Sequence, residues 1–441
     1  MTNHGRGAGL LWVGLGVLCA SLVGVPDASA QAAALKADTG DTAWVLMSSA
    51  LVLLMLVPGL ALFYGGLVRT KNVLGTIMQS FMILSVVSLL WILFGYSLAF
   101  GPDKGGVIGG LDWIGLSGVG ADPHPVYGPT VPHSAFMLFQ LMFAAITPAL
   151  IAGAFAERKR FSAMVLFAAL WSIVVYVPLA HWIWGGGWLA KLGALDFAGG
   201  AVVHISSGAS ALICAIVLGK RRGYGTDYMA PHNLPMTLLG TGLLWFGWFG
   251  FNGGSALGAN GLAVSAILAT HTAACTGAVV WCIVEWVHRG KPTVLGVASG
   301  AVAGLATVTP ASGYITPFPA LLIGGIAGLA CYFAIVWKGR FGYDDSLDVV
   351  GIHGVGGVLG ILATGLFASK AVNSAGADGL FYGSAGLFGV QLLTVVVVAV
   401  FSAVGTFVLL KIVDGMTALR VTPDEEATGL DLSQHNERAY S

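Results

Sequence analysis

Long apolar stretches alternate with short polar seams along almost the whole chain. Eleven of these stretches are long enough to cross a hydrocarbon core of about 30 Å as helices. They cover residues 44–67, 75–100, 135–156, 162–183, 197–219, 235–254, 261–287, 294–310, 315–337, 349–369 and 385–411. The pattern predicts an all-α integral membrane protein with eleven transmembrane helices, which we number as spans one to eleven in chain order.

Basic residues are concentrated in alternate seams. They follow spans one, three, five, seven and nine, as Arg69 and Lys71, Arg158 to Arg160, Lys220 to Arg222, Arg289 and Lys291, and Lys338 and Arg340. The other seams hold only Lys104, Lys191 and Lys370. Because basic loops stay in the cytoplasm, we expect the mature N-terminus outside and the C-terminus inside.

Residues 1–30 have the three parts of a secretory signal peptide. Arg6 supplies the positive start, an apolar stretch runs from Gly9 to Val25, and Ala28 to Ala30 fits the cleavage motif. An uncleaved first membrane helix is the alternative. We therefore expect a signal peptide at 1–30, a transmembrane domain at 31–419 and a cytoplasmic tail at 420–441 without an appended output domain. The Gly- and Pro-rich loop 101–132 is expected to cap the outer face.

Composition excludes several classes of protein. Hydrophobic residues make up 56% of the chain and charged residues only 9%, whereas soluble domains carry about 25% charged residues. An ordinary cytosolic enzyme and a disordered chain are thereby excluded. Lys+Arg and Asp+Glu balance at 20 each, so no basic stripe for nucleic acid is expected. Cys19 lies in the leader and the other four cysteines lie in apolar stretches, so we expect neither disulfides nor a metal site.

Two short motifs occur twice at matching places. Phe63 to Gly66 ends span one as FYGG, and Phe251 to Gly254 ends span six as FNGG. Asp196 precedes His204 by eight residues at span five, and Asp345 precedes His353 by eight residues at span ten. These motifs predict two five-helix halves, spans 1–5 and 6–10, with span eleven added. An odd number of helices per half forces the halves into opposite orientations, which makes an inverted repeat.

His204 and His353 are expected to meet near the middle of the membrane. Eight helical residues rise about 12 Å, and spans five and ten start from opposite faces. Ionisable side chains at that depth usually face an interior path, and two imidazoles in contact can share one proton. We favour a pair lining a pore over two unrelated core histidines, and over the axial ligands of a haem. Asp196 and Asp345 are expected to cap their helices, and Asp196 can also add a negative potential near an outer cation site.

Aromatic side chains are expected to gather at the outer face. Phe139 and Phe143 lie in the first turns of span three, Trp184 ends span four, and Phe251 and Ser255 end span six. A small ammonium-type ion can lie against Trp184 and Phe143 while Ser255 Oγ accepts its hydrogen bond. Phe143 and Phe251 can stack as a gate below it. The alternatives are an interfacial aromatic belt and routine helix packing.

These residues lie in strings that resemble the ammonium transporter family, and in particular its bacterial Amt branch. The strings are PGLALFYGGLVRTKNVL at 58–74, FQLMFAAITPALIAGAFAERKRFSA at 139–163, WGGGWLAKLGALDFAGGAVVHI at 184–205, GKRRGYG at 219–225, PHNLPM at 231–236, GWFGFNGGSA at 247–256 and DVVGIHGVGG at 348–357. The resemblance covers the chain from Ala50 to Tyr440 and departs from the family in the leader and the loop 101–132. It implies a homotrimer of eleven-helix subunits in the bacterial inner membrane, each subunit with its own pore.

The resemblance also implies roles for single residues. Phe143, Trp184 and Ser255, with Phe139 nearby, match the outer ammonium site, and Phe143 with Phe251 matches the gate. His204 and His353 match the twin-histidine pair, and Asp196 matches an essential aspartate beneath the outer site. The tail around Gly429 to Asp431 and His435 to Tyr440 implies control by a PII-type signalling protein at the cytoplasmic face.

The expected function is ammonium transport without a cofactor. NH4+ binds outside and loses its proton, NH3 passes the histidines, and the proton moves separately. A passive NH3 channel and an ammonium sensor on the same fold are the alternatives. A channel for another neutral solute, such as CO2 or urea, is disfavoured because it would not need the aromatic cation site.

Overall fold

The computed structural model describes residues 35–440. Within them, ten helices are long and apolar enough to cross a membrane: Thr39–Leu67, Thr70–Phe100, His133–Phe155, Phe161–Lys191, Gly200–Leu218, Leu234–Gly253, Gly261–Arg289, Pro317–Phe341, Val350–Phe367 and Ala385–Met416. The shorter apolar helix Val294–Val308 lies at the predicted eighth span. The prediction of a mostly helical membrane protein is confirmed, with ten of the eleven predicted spans present as apolar helices of membrane length, whereas the eighth span stays a prediction. The predicted signal peptide and Cys19 lie outside the described residues.

The eighth helix is shorter than a hydrocarbon core is thick. Its 15 residues rise about 22 Å, against a core of about 30 Å. The chain continues from it through consecutive turns to Tyr314 before the next helix begins at Pro317.

Several of the long helices contain a wider, π-helical turn. These turns are Met55–Leu60, Trp91–Gly95, Ser172–Tyr176, Gly200–Ile205, Phe249–Gly253 and Val350–Gly354. Such turns are rare in proteins as a whole, and those that do occur often lie at functional sites. Two of them open the helices that carry His204 and His353, so the two predicted halves share this feature.

The loop 101–132 contains two small antiparallel sheets, which the all-α prediction did not include. Strand β1 (Asp103–Lys104) pairs with β2 (Ile108–Gly109), and β3 (Pro123–His124) pairs with β4 (Gly128–Pro132). Gly105 and Gly106 turn the first hairpin with φ of +69° and +79°. Two successive left-handed residues suit the right-handed twist of a hairpin, and glycine adopts them without strain.

Spans five and ten cross at glycines. A Cβ on Gly208 would fall on the Cα and N atoms of Gly354, and a Cβ on Gly357 would lie 3.0 Å from the Cβ of His204. Gly208 and Gly357 each lie four residues after a histidine, His204 and His353 respectively. The absence of side chains at both positions lets the two backbones approach closely, and this close crossing brings the histidines together.

The basic seam after span three is buried, although its charge had suggested only an orientation signal. The side chain of Glu157 is inaccessible and accepts hydrogen bonds from Arg69, Asn72 and Arg221. Burial favours the neutral acid, but Arg221 and Arg69 outweigh it and lower the pKa of Glu157. Lys159 has no such partner within residues 35–440, and its ammonium lies 4.0 Å and 3.8 Å from the ring centres of Phe155 and Phe167. Burial lowers the pKa of Lys159 to about 8.

The tail packs on this same end of the protein. Two short helices, Pro423–Thr428 and Leu430–His435, form it. Asp431 Oδ1 accepts the backbone N–H of Gly75 at 2.7 Å, and Asn72 Oδ1 accepts that of Leu430 at 2.8 Å. The tail is therefore tied to the start of span two. We call this end of the protein the tail side and the end with the loop 101–132 the loop side.

Candidate functional site

The two histidines form a contact pair inside the helix bundle. Nδ1 of His204 and Nδ1 of His353 are 3.2 Å apart, and the rings are stacked with centroids 5.1 Å apart. His204 is 1% exposed and His353 is 5% exposed. A bond between two Nδ1 atoms requires one to donate and the other to accept, so the pair holds a single proton between the rings. His204 Nε2 is buried and has no hydrogen-bond partner among the described residues.

Asp196 supports the start of the His204 helix. Its Oδ1 accepts the N–H groups of Gly199 and Gly200, and its Oδ2 accepts those of Ala201 and Val202, all within 2.6 to 3.1 Å. The N-cap position itself is Gly199, so the carboxylate reaches the helix from further upstream than a simple cap does. Asp196 is also buried, whereas the topology had suggested a place at the outer surface.

Asp345 supports the His353 helix less completely. Its Oδ2 accepts the N–H of Val350 at 2.8 Å, while its Oδ1 is buried without a partner in residues 35–440. Lys338 donates to the backbone carbonyl of Asp345 and pairs with Asp348. Burial raises the pKa of Asp345 to about 6, although the Lys338 ammonium opposes the shift. The two aspartates are therefore equally spaced from their histidines but differ in their partners.

The predicted outer aromatic residues line one cavity on the loop side. Phe139, Phe143, Trp184 and Ser255 all border it, and its volume is about 450 Å³. Phe143 meets Trp184 edge to face with ring centroids 5.7 Å apart, and Phe139 meets Phe143 in the same way at 5.0 Å. Trp184 Nε1 donates to the backbone oxygen of Asp196 at 2.8 Å. We call this cavity the vestibule.

The hydroxyl oxygen of Ser255 can accept a hydrogen bond in the vestibule. Its hydroxyl donates to the backbone oxygen of Phe251 at 2.8 Å. The hydrogen is thereby occupied, and the oxygen lone pairs remain to accept a bond from a cation. Gln140, which also lines the vestibule, has a buried Oε1 without a partner in the described part of the chain. The sequence reasoning did not single out Gln140.

Phe143 and Phe251 separate the vestibule from the histidines. Their rings are stacked with centroids 4.2 Å apart and an interplanar angle of 27°. Phe251 also contacts His204, with ring centroids 6.3 Å apart. Both phenylalanines are buried. The stack therefore lies between the vestibule and the histidine pair.

Beyond the stack the path is narrow and apolar. A cavity of about 10 Å³ borders His204, His353, Trp248 and Tyr64, which is the room that one water molecule needs. A second cavity of about 50 Å³ continues past His353 to Ser299 and Asp348 on the tail side. The vestibule, the phenylalanine stack and the two inner cavities thus follow one another from the loop side to Asp348.

Sequence reasoning missed several residues of this path. Trp248 stacks on His204 with ring centroids 5.7 Å apart, and Phe63 and Tyr64 line both inner cavities. Phe63 and Tyr64 belong to the FYGG string, for which the sequence analysis gave no role in the site. The crossing glycines could also have been found from the sequence, because the spacing His-x-x-x-Gly occurs in both halves, at Gly208 and at Gly357.

A family model described as Ammonium Transporter Family matches residues 43–440. This chain belongs to the ammonium transporter family. It is 56% identical over 402 residues to "Ammonium transporter" of Bacillus subtilis (strain 168), covering 91% of this chain and 98% of that protein. It is 49% identical over 402 residues to "Ammonium transporter Amt1" of Archaeoglobus fulgidus, covering 91% and 99%.

Solved structures agree with the family assignment. The crystal structure of Candida albicans Mep2 is 38% identical, with a TM-score of 0.83 and 88% of each chain covered. A structure titled "Sensor Amt Protein" is 30% identical, with a TM-score of 0.81 over 90% of this chain and 98% of that one. The family comprises membrane transport proteins rather than enzymes. The chain is therefore a multi-pass membrane protein whose substrate is ammonium or ammonia.

Proposed function

We propose that this protein is an ammonium transporter that binds NH4+ in the vestibule, removes its proton and conducts NH3 past the histidine pair, with the proton transferred separately. The observation that carries the proposal is the 3.2 Å contact between the Nδ1 atoms of His204 and His353. Two buried rings that share one proton form a polar path in an apolar conduit without adding a fixed charge.

The vestibule suits a monovalent cation without a carboxylate ligand. The face of an aromatic ring attracts a cation, and Trp184 and Phe143 line the vestibule together with the Ser255 hydroxyl. Phe139 extends the aromatic wall behind Phe143. Such a site binds weakly and releases quickly, because no opposite full charge holds the ion. Weak binding and quick release suit a site that holds NH4+ only until the ion loses its proton.

Deprotonation follows from the energy of the narrow path. A bare ion in a low-dielectric environment costs many kcal/mol, whereas neutral NH3 is comparable to water in size and fits a cavity of about 10 Å³. NH4+ therefore gives up its proton at the stack of Phe143 and Phe251. His204 Nε2, which is buried without a partner in residues 35–440, takes up this proton, and the NH3 left behind enters the narrow path. The pair then passes the proton through the shared Nδ1 contact.

The two aspartates act on the helices rather than on the ion. Asp196 accepts four backbone N–H groups and so fixes the turn before His204. Its negative charge also favours a cation in the vestibule, to which it is linked by Trp184. Asp345 holds the start of the His353 helix from the tail side.

Solid-supported-membrane electrophysiology on proteoliposomes tests the proposal. An ammonium pulse should give a transient current, while equal pulses of K+ and Na+ should give none. A passive NH3 channel predicts ammonium uptake without current. The sensor alternative has a structural relative in "Sensor Amt Protein", and it predicts saturable ammonium binding without uptake. Uptake and current measured on the same liposomes separate the three outcomes.

The histidine role is tested by the paired variant His204→Ala with His353→Ala. It should lose selective ammonium current or begin to pass K+. The matched control is His288→Ala. His288 on span seven is hydrogen-bonded to Tyr332 on span nine, and neither residue lines the inner cavities. If the paired variant carries the same selective ammonium current as the parent, the proposed relay is wrong.

We further propose an eleven-span homotrimer in the bacterial inner membrane, with the loop side outside and the tail in the cytoplasm. His271 is exposed on span seven, and an imidazole facing lipid is costly, which supports its burial by another subunit. The particle mass in detergent tests the trimer.

We propose a PII-type protein as the partner of the tail side. The test is to compare the binding of purified PII to the parent with its binding to a variant truncated at residue 422.

A further inference from the structure

His181 is a fully buried histidine that the transport path does not use. It lies in the last turn of span four, three residues before Trp184, and is 0% exposed. Its Nδ1 is 2.8 Å from the backbone oxygen of Ala99, and its Nε2 is 2.9 Å from Asp103 Oδ1. It therefore joins span four to the end of span two and to strand β1.

Both groups that His181 faces are hydrogen-bond acceptors. A backbone carbonyl can only accept, and so can an ionised carboxylate. Asp103 Oδ2 accepts the Lys191 ammonium at 2.6 Å, and Asp103 Oδ1 also accepts the N–H of Gly106 at 2.7 Å. The hydrogen bonds from Lys191 and His181 hold the pKa of Asp103 well below its usual range. A neutral imidazole has only one N–H and would leave a lone pair facing one of these oxygens.

These contacts enclose the turn that carries Trp184. The backbone oxygen of His181 accepts the N–H groups of Gly185 and Gly187, and the backbone oxygen of Gly106 accepts that of Trp188. Asp103 Oδ1 binds both the His181 ring and Gly106. The hairpin of β1 and β2 is thus fastened to the turn on both sides. The residues that directly follow Trp184 are therefore bonded both to His181 and to the hairpin.

We propose that His181 is an imidazolium that ties the β1–β2 hairpin to span four and thereby positions Trp184 for ammonium. The charged groups around it are the Asp103 carboxylate and, behind that, the Lys191 ammonium. The protonation state follows from the two acceptors alone. The effect on ammonium rests on the proposed function, because it requires Trp184 to contact the ion.

Solid-state NMR of protein with 15N-labelled histidine at pH 7 tests the protonation state. The parent should show one imidazolium that is absent from His181→Gln. Asp103→Asn should also lose this signal with His181 still present, because the amide can donate to Nε2 and allow a neutral ring. Asp103 is partly exposed, so this variant is expected to fold even if His181→Gln does not. The proposal is overturned if the parent has no such imidazolium or if Asp103→Asn retains it.

Ammonium-evoked currents test the positioning role. Asp103→Asn should raise the half-saturating ammonium concentration about tenfold while the maximal current stays within about twofold, because a displaced Trp184 weakens binding before the histidines act. Lys370→Met, which removes a lysine from another loop, should match the parent. Equal half-saturation in Asp103→Asn and the parent would refute the positioning role. A parent that gives neither current nor uptake would instead refute the proposed function and leave the NMR result intact.

Discussion

Gly357→Ala perturbs the histidine pair through one methyl group. A Cβ at this position would lie 2.9 Å from the oxygen of Gly200, 2.9 Å from the nitrogen of Ile205 and 3.0 Å from His204 Cβ. None of these atoms can move away by a side-chain rotation, because two belong to the backbone and the third is attached to it. The start of span five therefore has to shift away from span ten.

The size of the shift follows from these distances. Ordinary contact begins at 3.4 Å, so the backbones must separate by about half an ångström. The Nδ1 atoms of His204 and His353, now 3.2 Å apart, would then lie beyond the usual hydrogen-bond range of about 2.7–3.2 Å. Overpacking costs about 1–3 kcal/mol, and replacing a helical glycine with alanine returns about 1 kcal/mol. The variant should therefore lose at most about 2 kcal/mol of stability and still fold.

The function should suffer more than the stability. A misplacement of about 1 Å can cost a factor of about 100 in rate, so half that shift predicts a loss of about tenfold in the maximal ammonium current. The assay compares currents from proteoliposomes that hold equal amounts of folded protein. Gly242→Ala is the matched control, because a Cβ at Gly242 in span six meets nothing within 4 Å. Gly208→Ala should be more damaging than Gly357→Ala, because its Cβ falls directly on the Gly354 backbone.

Two results would contradict this reasoning. A Gly357→Ala protein with the full parental current would show that the histidine contact tolerates separation or is not used. An equal loss in Gly242→Ala would show that alanine in any membrane helix has the same effect, and the crossing would then have no special role.

Three further predictions concern the tail side. Lys159→Met should raise the free energy of unfolding by about 3 kcal/mol at pH 7, because the pKa of the buried amine falls from 10.5 to about 8. Thermal melts should show this gain disappear as the pH rises from 8 to 10.5, where the unfolded chain of the parent also loses its proton. Glu157→Gln should lower stability by about 3–5 kcal/mol because Arg69 and Arg221 lose a buried anion. In melts at decreasing pH the parent should lose this advantage as Glu157 takes up a proton below its lowered pKa. Asp431→Ala should release the tail by removing its bond to Gly75, and hydrogen exchange should then be faster across residues 423–440, whereas Asp424→Ala, at an exposed position, should leave it unchanged.

Much of the fold was predictable because hydropathy is a local property. An apolar stretch of about 20 residues has few structures open to it in a bilayer, so the helices follow from the sequence of each stretch alone. The equal Asp–His spacing in two stretches was also readable without contacts. The hairpins of the loop 101–132 were missed, because the two glycines that turn β1 into β2 resemble the many other glycines of the chain.

The candidate site was only partly predictable, because its parts lie on different helices. The sequence alone determined the apolar spans, the residue types available for a cation site and the spacing that suggests a histidine pair. Tertiary structure decided which faces of the spans meet: the stack of Phe143 on Phe251, the glycine crossing beside His204, and the burial of Lys159 between two rings. The physical reason is that a helix fixes its own hydrogen bonds, whereas its rotation and approach to a neighbour depend on packing against all the others.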